Sequence, residues 1–280
     1  MIHLPLPTID GIDMFMKCIK RYPEEFSQAD IKEVLSVVER LYKNYHQCLT
    51  TKKTFEIIRS EPFGKFTERK MKNLYHEQVV GKDGICRDEY NRLLASARRK
   101  KCPMCSESTV TALDHHLPKQ TYYFFSVHPN NLVPICSRCN EAKKNTMPDR
   151  PEKQFIHPYY DDFSQGSWFE MIFTQKNPIE INYICKPEPD LPKEEQAKLR
   201  NHFSRLKLDE LYASNAIVKI EDMKNTFSQF LKTKDWNAVR QEIENCLRMV
   251  EKRPDSWEYA LYSKLLTQQW YIEGGFNNIE

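Results

Sequence analysis

The sequence predicts a mostly helical α+β protein in which a small ββα unit lies between an N-terminal and a C-terminal helical region. Three observations predict it. Apolar residues recur at alternating steps of four and three, as in Ile31, Leu35, Val38, Tyr42, Tyr45 and Leu49, which marks one face of a helix. Strand-like composition is confined to short segments at 110–117, 131–135, 168–174 and 179–185. Two Cys-x-x-Cys pairs, Cys102 with Cys105 and Cys136 with Cys139, bracket the first two of these segments. A chain of 280 residues, 40% hydrophobic and 29% charged, can bury one large core or two smaller ones. We expect three regions, at 1–96, 97–150 and 151–280.

Residues 1–10 have the composition of an extended arm. A helix is expected over 30–49. Residues 52–80 are charged and helix-compatible, interrupted at Pro62 and Gly64, and Gly81-Lys82-Asp83-Gly84 forms a turn. A helix over 88–101, with Tyr90, Leu93, Leu94 and Ala97 inward, delivers the chain to the first cysteine pair. Strand, loop, strand and a helix starting around Cys139 make the ββα unit. Met147, Pro148 and Pro151 stop that helix. His157-Pro158-Tyr159-Tyr160-Asp161 is expected to be a packed turn with its aspartate exposed. Segments 168–174 and 179–185 form a hairpin that turns at Asn177-Pro178. Pro187, Pro189 and Pro192 make a stiff linker. One helix is expected over 193–231, another over 236–250 with Val239, Ile243, Leu247 and Val250 on one face, and a last over 256–271, ended by Gly274-Gly275.

Nine cysteines would leave one unpaired in an oxidising compartment. Cys18, Cys48, Cys86, Cys185 and Cys246 are scattered among largely apolar neighbours. This usage suits a reducing cytosol, and we expect a cytoplasmic protein. No basic segment followed by an apolar core opens the chain, and no apolar run reaches membrane-spanning length. There is no internal repeat and no phosphate loop of the G-x-x-x-x-G-K type.

The two cysteine pairs suit a closed tetrahedral zinc site, because each pair sits on a tight knuckle that aims both sulfurs at one point. Such a site has no open position, so its role is structural. The ββα path then brings the end of the first strand, with Asp114 and His115, towards the first helical turn, with Asn140. Successive strand residues point to opposite faces, so His115 and His116 cannot both face one ion.

Cys102-x-x-Cys105, Asp114-His115, Pro118, Asn131-Leu132 and Cys136-x-x-Cys139-Asn140 followed by Lys143 resemble the HNH (ββα-metal) nuclease family. The resemblance implies that Asp114 and Asn140 hold a catalytic metal, that His115 is the general base and that Asn131 orients it. It implies phosphodiester hydrolysis leaving 5′-phosphate and 3′-hydroxyl ends. Many members have histidine where this chain has Asn140. Two oxygen ligands favour Mg²⁺ or Mn²⁺ over softer ions. Over most of its length, and less specifically, the chain also resembles the HNH subunits of Septu-type antiphage systems, which work beside an ATPase. That resemblance implies an ATPase partner.

Charge points the same way. From 98 to 144 the bases are Arg98, Arg99, Lys100, Lys101, Lys119, Arg138, Lys143 and Lys144, against the acids Glu107, Asp114 and Glu141. All eight bases are expected to contact DNA phosphates, with binding that weakens as salt rises. Two alternatives remain: a zinc-ribbon nucleic-acid-binding or scaffold protein without catalysis, and a ribonuclease.

Overall fold

The computed structural model describes residues 2–174, 179–231 and 233–279. Helix α1 (Gly11–Ile19) starts on Asp10, whose carboxylate accepts from the amides of Ile12 and Asp13 at 2.8 and 3.2 Å. The helix is short, and its buried face is Met14, Phe15, Cys18 and Ile19. Helix α2 (Gln28–Thr50) opens on a reciprocal cap. Asp30 N donates to Ser27 Oγ at 3.2 Å and Ser27 N donates to Asp30 Oδ2 at 2.9 Å, satisfying two otherwise unpaired amides. Its buried face carries Ile31, Val34, Val38, Leu41, Tyr42 and Tyr45.

Helix α3 (Glu68–Leu74) runs directly into a π-helical turn, Tyr75–Val80. Helix α4 (Arg87–Ala95) stops six residues short of the expected end at Lys101. Ala97 is extended, and Arg99 and Lys100 take positive φ of 54° and 57°. The chain has to reverse here, since Lys101 already pairs with Thr109 across the first cysteine knuckle.

Strands β1 (Ala112–His115) and β2 (Leu132–Ile135) are antiparallel, with Asp114 opposite Val133 and His115 opposite Leu132. Helix α5 (Ser137–Lys143) follows β2 at once. This is the expected ββα order. One hydrophobic core, from Met14 through Tyr45, Tyr75 and Leu93 to Phe125 and Leu132, joins α1–α4 to the ββα unit. Residues 2–161 together with 193–201 form one compact unit, so the expected boundary at 96/97 passes through a shared core.

The turn at 157–161 belongs to that unit and corrects one expectation. Asp161 is buried, not exposed. Its carboxylate meets Lys198 Nζ at 3.1 Å and Lys52 Nζ at 2.9 Å, and accepts from His157 N at 2.7 Å. Burial alone would raise its pKa. Lys198 and Lys52 outweigh burial and hold it below the ordinary carboxylate value.

The second unit comprises 162–192 and 202 onward. Strands β3 (Phe169–Thr174) and β4 (Glu180–Cys185) pair antiparallel as expected, and their turn at Asn177-Pro178 lies outside the described residues. The expected single helix over 193–231 is two helices, α6 (Lys193–Arg205) and α7 (Leu208–Leu231). Lys207 takes φ of 50° between them, which lets both Leu206 and Leu208 be fully buried. Helix α8 (Trp236–Val250) matches its expected span. The last helix is divided into α9 (Trp257–Leu266) and α10 (Gln269–Ile272). A Cβ on Gly275 would lie 2.0 Å from the Trp270 ring, so only glycine fits after this turn. Phe169, Tyr183, Phe203 and Tyr212 pack ring to ring between the hairpin and α7. Among the described residues no helix is long and apolar enough to cross a membrane.

Removing one partner of a buried ion pair leaves the other charge uncompensated, which costs about 3–5 kcal/mol. Asp161→Asn is therefore expected to lower unfolding stability by that order, and Lys52→Met by clearly less, because Lys52 is partly exposed. Urea unfolding of both variants checks this, and equal, small losses would contradict it.

Candidate active site beside a four-cysteine cluster

The first knuckle is a tight reversal. Cys102 N donates to Ser108 O at 2.8 Å, Ser106 N donates to Cys102 O at 2.7 Å, and Ser106 takes φ of 62°. The second knuckle is the start of α5, where Cys136 Sγ accepts from Cys139 N at 3.4 Å. Cys136 N in turn donates to Cys102 Sγ at 3.4 Å. All four sulfurs are buried and lie within 4.8 Å of one another, with Cys105 and Cys136 4.0 Å apart. A tetrahedral zinc with Zn–S near 2.3 Å places its sulfurs about 3.8 Å apart. A disulfide requires about 2 Å. The cluster therefore has the dimensions of a metal site and can hold zinc. Sulfur crowding also splits the thiol titrations. Cys136 is lowered to about 6, first by Cys102, whereas Cys102 is pushed up, first by Cys105. A cation at the centre removes that conflict by taking all four as thiolates. Among the described residues no other group of three or more His, Cys, Asp or Glu side chains converges in this way.

Asp114 and His115 end β1 beside α5. Lys143, in the last turn of α5, is 1% exposed, and its Nζ lies 2.9 Å from Asp114 Oδ2 and donates to His115 O at 2.8 Å. It was expected at a phosphate. Burial excludes that, and the ammonium instead holds the catalytic-candidate carboxylate and the backbone of its neighbour. Asp114 Oδ2 is buried and makes no aligned hydrogen bond, so it faces a cation through charge alone. Asn140 is exposed on α5, one turn before Lys143.

His115 is buried. Its Nε2 lies 2.9 Å from Ser126 O and, because a carbonyl can only accept, Nε2 carries the proton. Nδ1 is then the basic nitrogen. Burial lowers the His115 pKa to about 4, with Asp114 and the Ser126 carbonyl opposing. Tyr75 packs edge-on against the imidazole at 4.4 Å. Asn131 was expected to orient His115; its side chain instead bonds loop backbone, and Ser126 O is the atom that meets the imidazole. Asn131 Oδ1 accepts from Leu117 N at 2.7 Å and its Nδ2 donates to Phe125 O at 3.1 Å, fixing the loop that presents the Ser126 carbonyl. His116 packs against His157 instead, with ring centroids 4.1 Å apart and the planes tilted by 38°.

Of the other basic residues, Arg98, Arg99, Lys100, Lys101 and Lys144 are exposed, while Lys119 and Arg138 are half-buried. Lys119 Nζ lies 3.1 Å from His76 Nε2 and 5.0 Å from the Tyr75 ring centre. The sequence reading missed Tyr75, His76 and Ser126. The first two sit where α3 changes to a π-helical turn. Such a turn shifts the facing of side chains by one residue, and a 3.6-residue periodicity does not reveal it.

No family model and no solved structure matches the chain. Protein ea31 of Escherichia phage lambda is 25% identical over 302 aligned positions, covering 98% of this chain and all of that one. Septu protein PtuB of Bacillus thuringiensis is 33% identical over 91 residues, which span 32% of this chain and 30% of that protein. Similarity to a whole phage protein and to part of a Septu protein therefore stands beside the site geometry.

Metal analysis of the purified chain is expected to find one zinc per molecule. Cys136→Ser should lose it together with much of the folded yield, because structural zinc binding is part of the folding free energy. Well-folded protein without zinc would contradict this.

Proposed function

We propose that the chain is a metal-dependent nuclease of the HNH type that hydrolyses phosphodiester bonds in DNA. The observation that carries this reading is the end of β1. There a carboxylate held by a cation adjoins a buried histidine whose Nε2 is tied to a carbonyl. Hydrolysis needs a base that is neutral at working pH, and burial keeps His115 neutral. Its Nδ1 can take the proton of the attacking water, and the Ser126 carbonyl stabilises the imidazolium that forms. Lys143 keeps Asp114 and the His115 backbone in fixed relation to α5. Asp114 would take a divalent ion in place of the Lys143 ammonium that lies 2.9 Å from its Oδ2, with Asn140 as second ligand. Mg²⁺ or Mn²⁺ bound there supplies charge neutralisation at the phosphate and at the leaving oxygen. Zinc in the four-cysteine site would keep β1 and α5 in register.

Similarity to a Septu protein supports a role in antiphage defence. With the sequence resemblance, it also supports control by an ATPase partner. A second reading, a zinc-stabilised nucleic-acid-binding module without catalysis, is favoured by one observation. Asp114 already has an ammonium at 2.9 Å, and Asn140 is exposed.

The variants separate the two. His115→Ala is expected to lower cleavage by about 10²–10⁴-fold while zinc content and DNA binding stay near wild type. Asp114→Ala should also lose cleavage but regain part of it at higher Mn²⁺, which His115→Ala should not. His116→Gln should affect stability more than rate. Full cleavage by His115→Ala would show that His115 is not the base, and no cleavage by wild type with any divalent metal would favour the binding module.

A further inference from the structure

Outside the ββα unit, the π-helical turn brings a second histidine to the site's edge. His76 is exposed, and its Nε2 lies 3.1 Å from Lys119 Nζ. Lys119 sits over the Tyr75 ring at 5.0 Å, and the same ring packs against His115 at 4.4 Å. Tyr75 is thus the spacer between the proposed base and a pair of nitrogens on the rim. It is itself buried, and its hydroxyl donates to Leu113 O of β1 at 3.5 Å.

The pair is short of negative charge. Among the described residues no carboxylate lies within ion-pair distance of Lys119 or His76. Lys72, the nearby cation, is already matched by Glu68 at 3.1 Å. Burial lowers the Lys119 pKa, with Lys72 adding to it and Asp114 opposing at longer range. Burial, Lys119 and Lys72 likewise lower that of His76. The contact is itself a hydrogen bond in which the Lys119 ammonium donates to the imidazole Nε2, and the ammonium keeps two further N–H groups for an anionic oxygen.

We infer that Lys119, oriented by its hydrogen bond to His76, binds a non-bridging phosphate oxygen of the nucleic-acid substrate beside the proposed base. This rests on the nuclease reading for its role, but the binding itself can be measured without cleavage. Lys119 holds the phosphodiester in place while His115, across the Tyr75 ring, acts on water. His76 is a positioning residue that acts through Lys119, and neither is a proton carrier in this scheme. In the π-helical turn Tyr75 is buried against β1 and the next residue, His76, is at the surface.

The test uses the full zinc-loaded chain, a fluorescently labelled DNA duplex in Ca²⁺ to read binding, and Mn²⁺ to read cleavage. Lys119→Ala should weaken binding several-fold and reduce the slope of log K against log salt by about 1, the mark of one lost phosphate contact. His76→Ala should weaken binding with a smaller change in slope. Both should raise KM more than they lower kcat. Lys119→Arg should recover most of the slope, which a merely structural role would not allow. Wild-type binding, slope and KM in the His76→Ala, Lys119→Ala double variant would overturn the inference while leaving the nuclease reading intact. Absence of cleavage in wild type, with the binding and slope changes as expected, would overturn the nuclease reading and leave the phosphate site standing.

Discussion

Strands of four residues each, Ala112–His115 and Leu132–Ile135, are too short to hold each other in water. The four sulfurs supply what the hydrogen bonds between them cannot. Cys102 and Cys105 precede β1, and Cys136 is at once the residue after β2 and the cap of α5. Sulfurs drawn to one point therefore tie the approach to β1 to the first turn of α5. A helix of seven residues pinned at its first turn has its last turn placed as well. This is why Lys143 can reach Asp114 and the His115 carbonyl from the far end of α5.

The N-terminal helices form the wall of the site. The loop between the strands is buried from Tyr122 to Pro129 and is held from several sides. Tyr42 donates to Phe124 O at 2.9 Å and Ser126 Oγ donates to Met71 O at 2.8 Å. A carbonyl that must hold a histidine needs such support, and Ser126 has it through α3, α2 and Asn131. The same burial sets the charge states. His115 is kept neutral by exclusion of water, while Lys143 Nζ lies 2.9 Å from the Asp114 carboxylate. Asp114, which meets Lys143, and His115, which meets the Ser126 carbonyl, are adjacent on β1 and so point to different partners.

The ββα order, the cysteine cluster and the placement of Asp114 and His115 at a strand end were legible because each is local. The cysteine spacing, the capping residues and the period-two alternation act over a few residues. Helix ends were less legible. Arg99, Lys100 and Lys207 have side chains suited to helices, yet tertiary demand puts them at positive φ: a reversal into the first knuckle in one case, burial of two flanking leucines in the other. Charge was the least legible property. Lys143 and Asp161 look like surface residues in sequence, and each is buried because its counter-charge arrives from a distant segment, β1 for Lys143, and the turn after α2 together with α6 for Asp161. His76 carries no motif at all, and its relation to Lys119 exists only once the chain has folded.

The account turns on whether the end of β1 is a hydrolytic centre. The most direct measurement incubates the folded, zinc-loaded chain with plasmid DNA and Mn²⁺ and maps the product ends. Strand breaks bearing 5′-phosphate and 3′-hydroxyl termini, lost when the divalent ion is withheld and lost in His115→Ala, are the predicted result. Intact DNA with Mg²⁺ and with Mn²⁺, under conditions in which the same protein binds the plasmid, would contradict it.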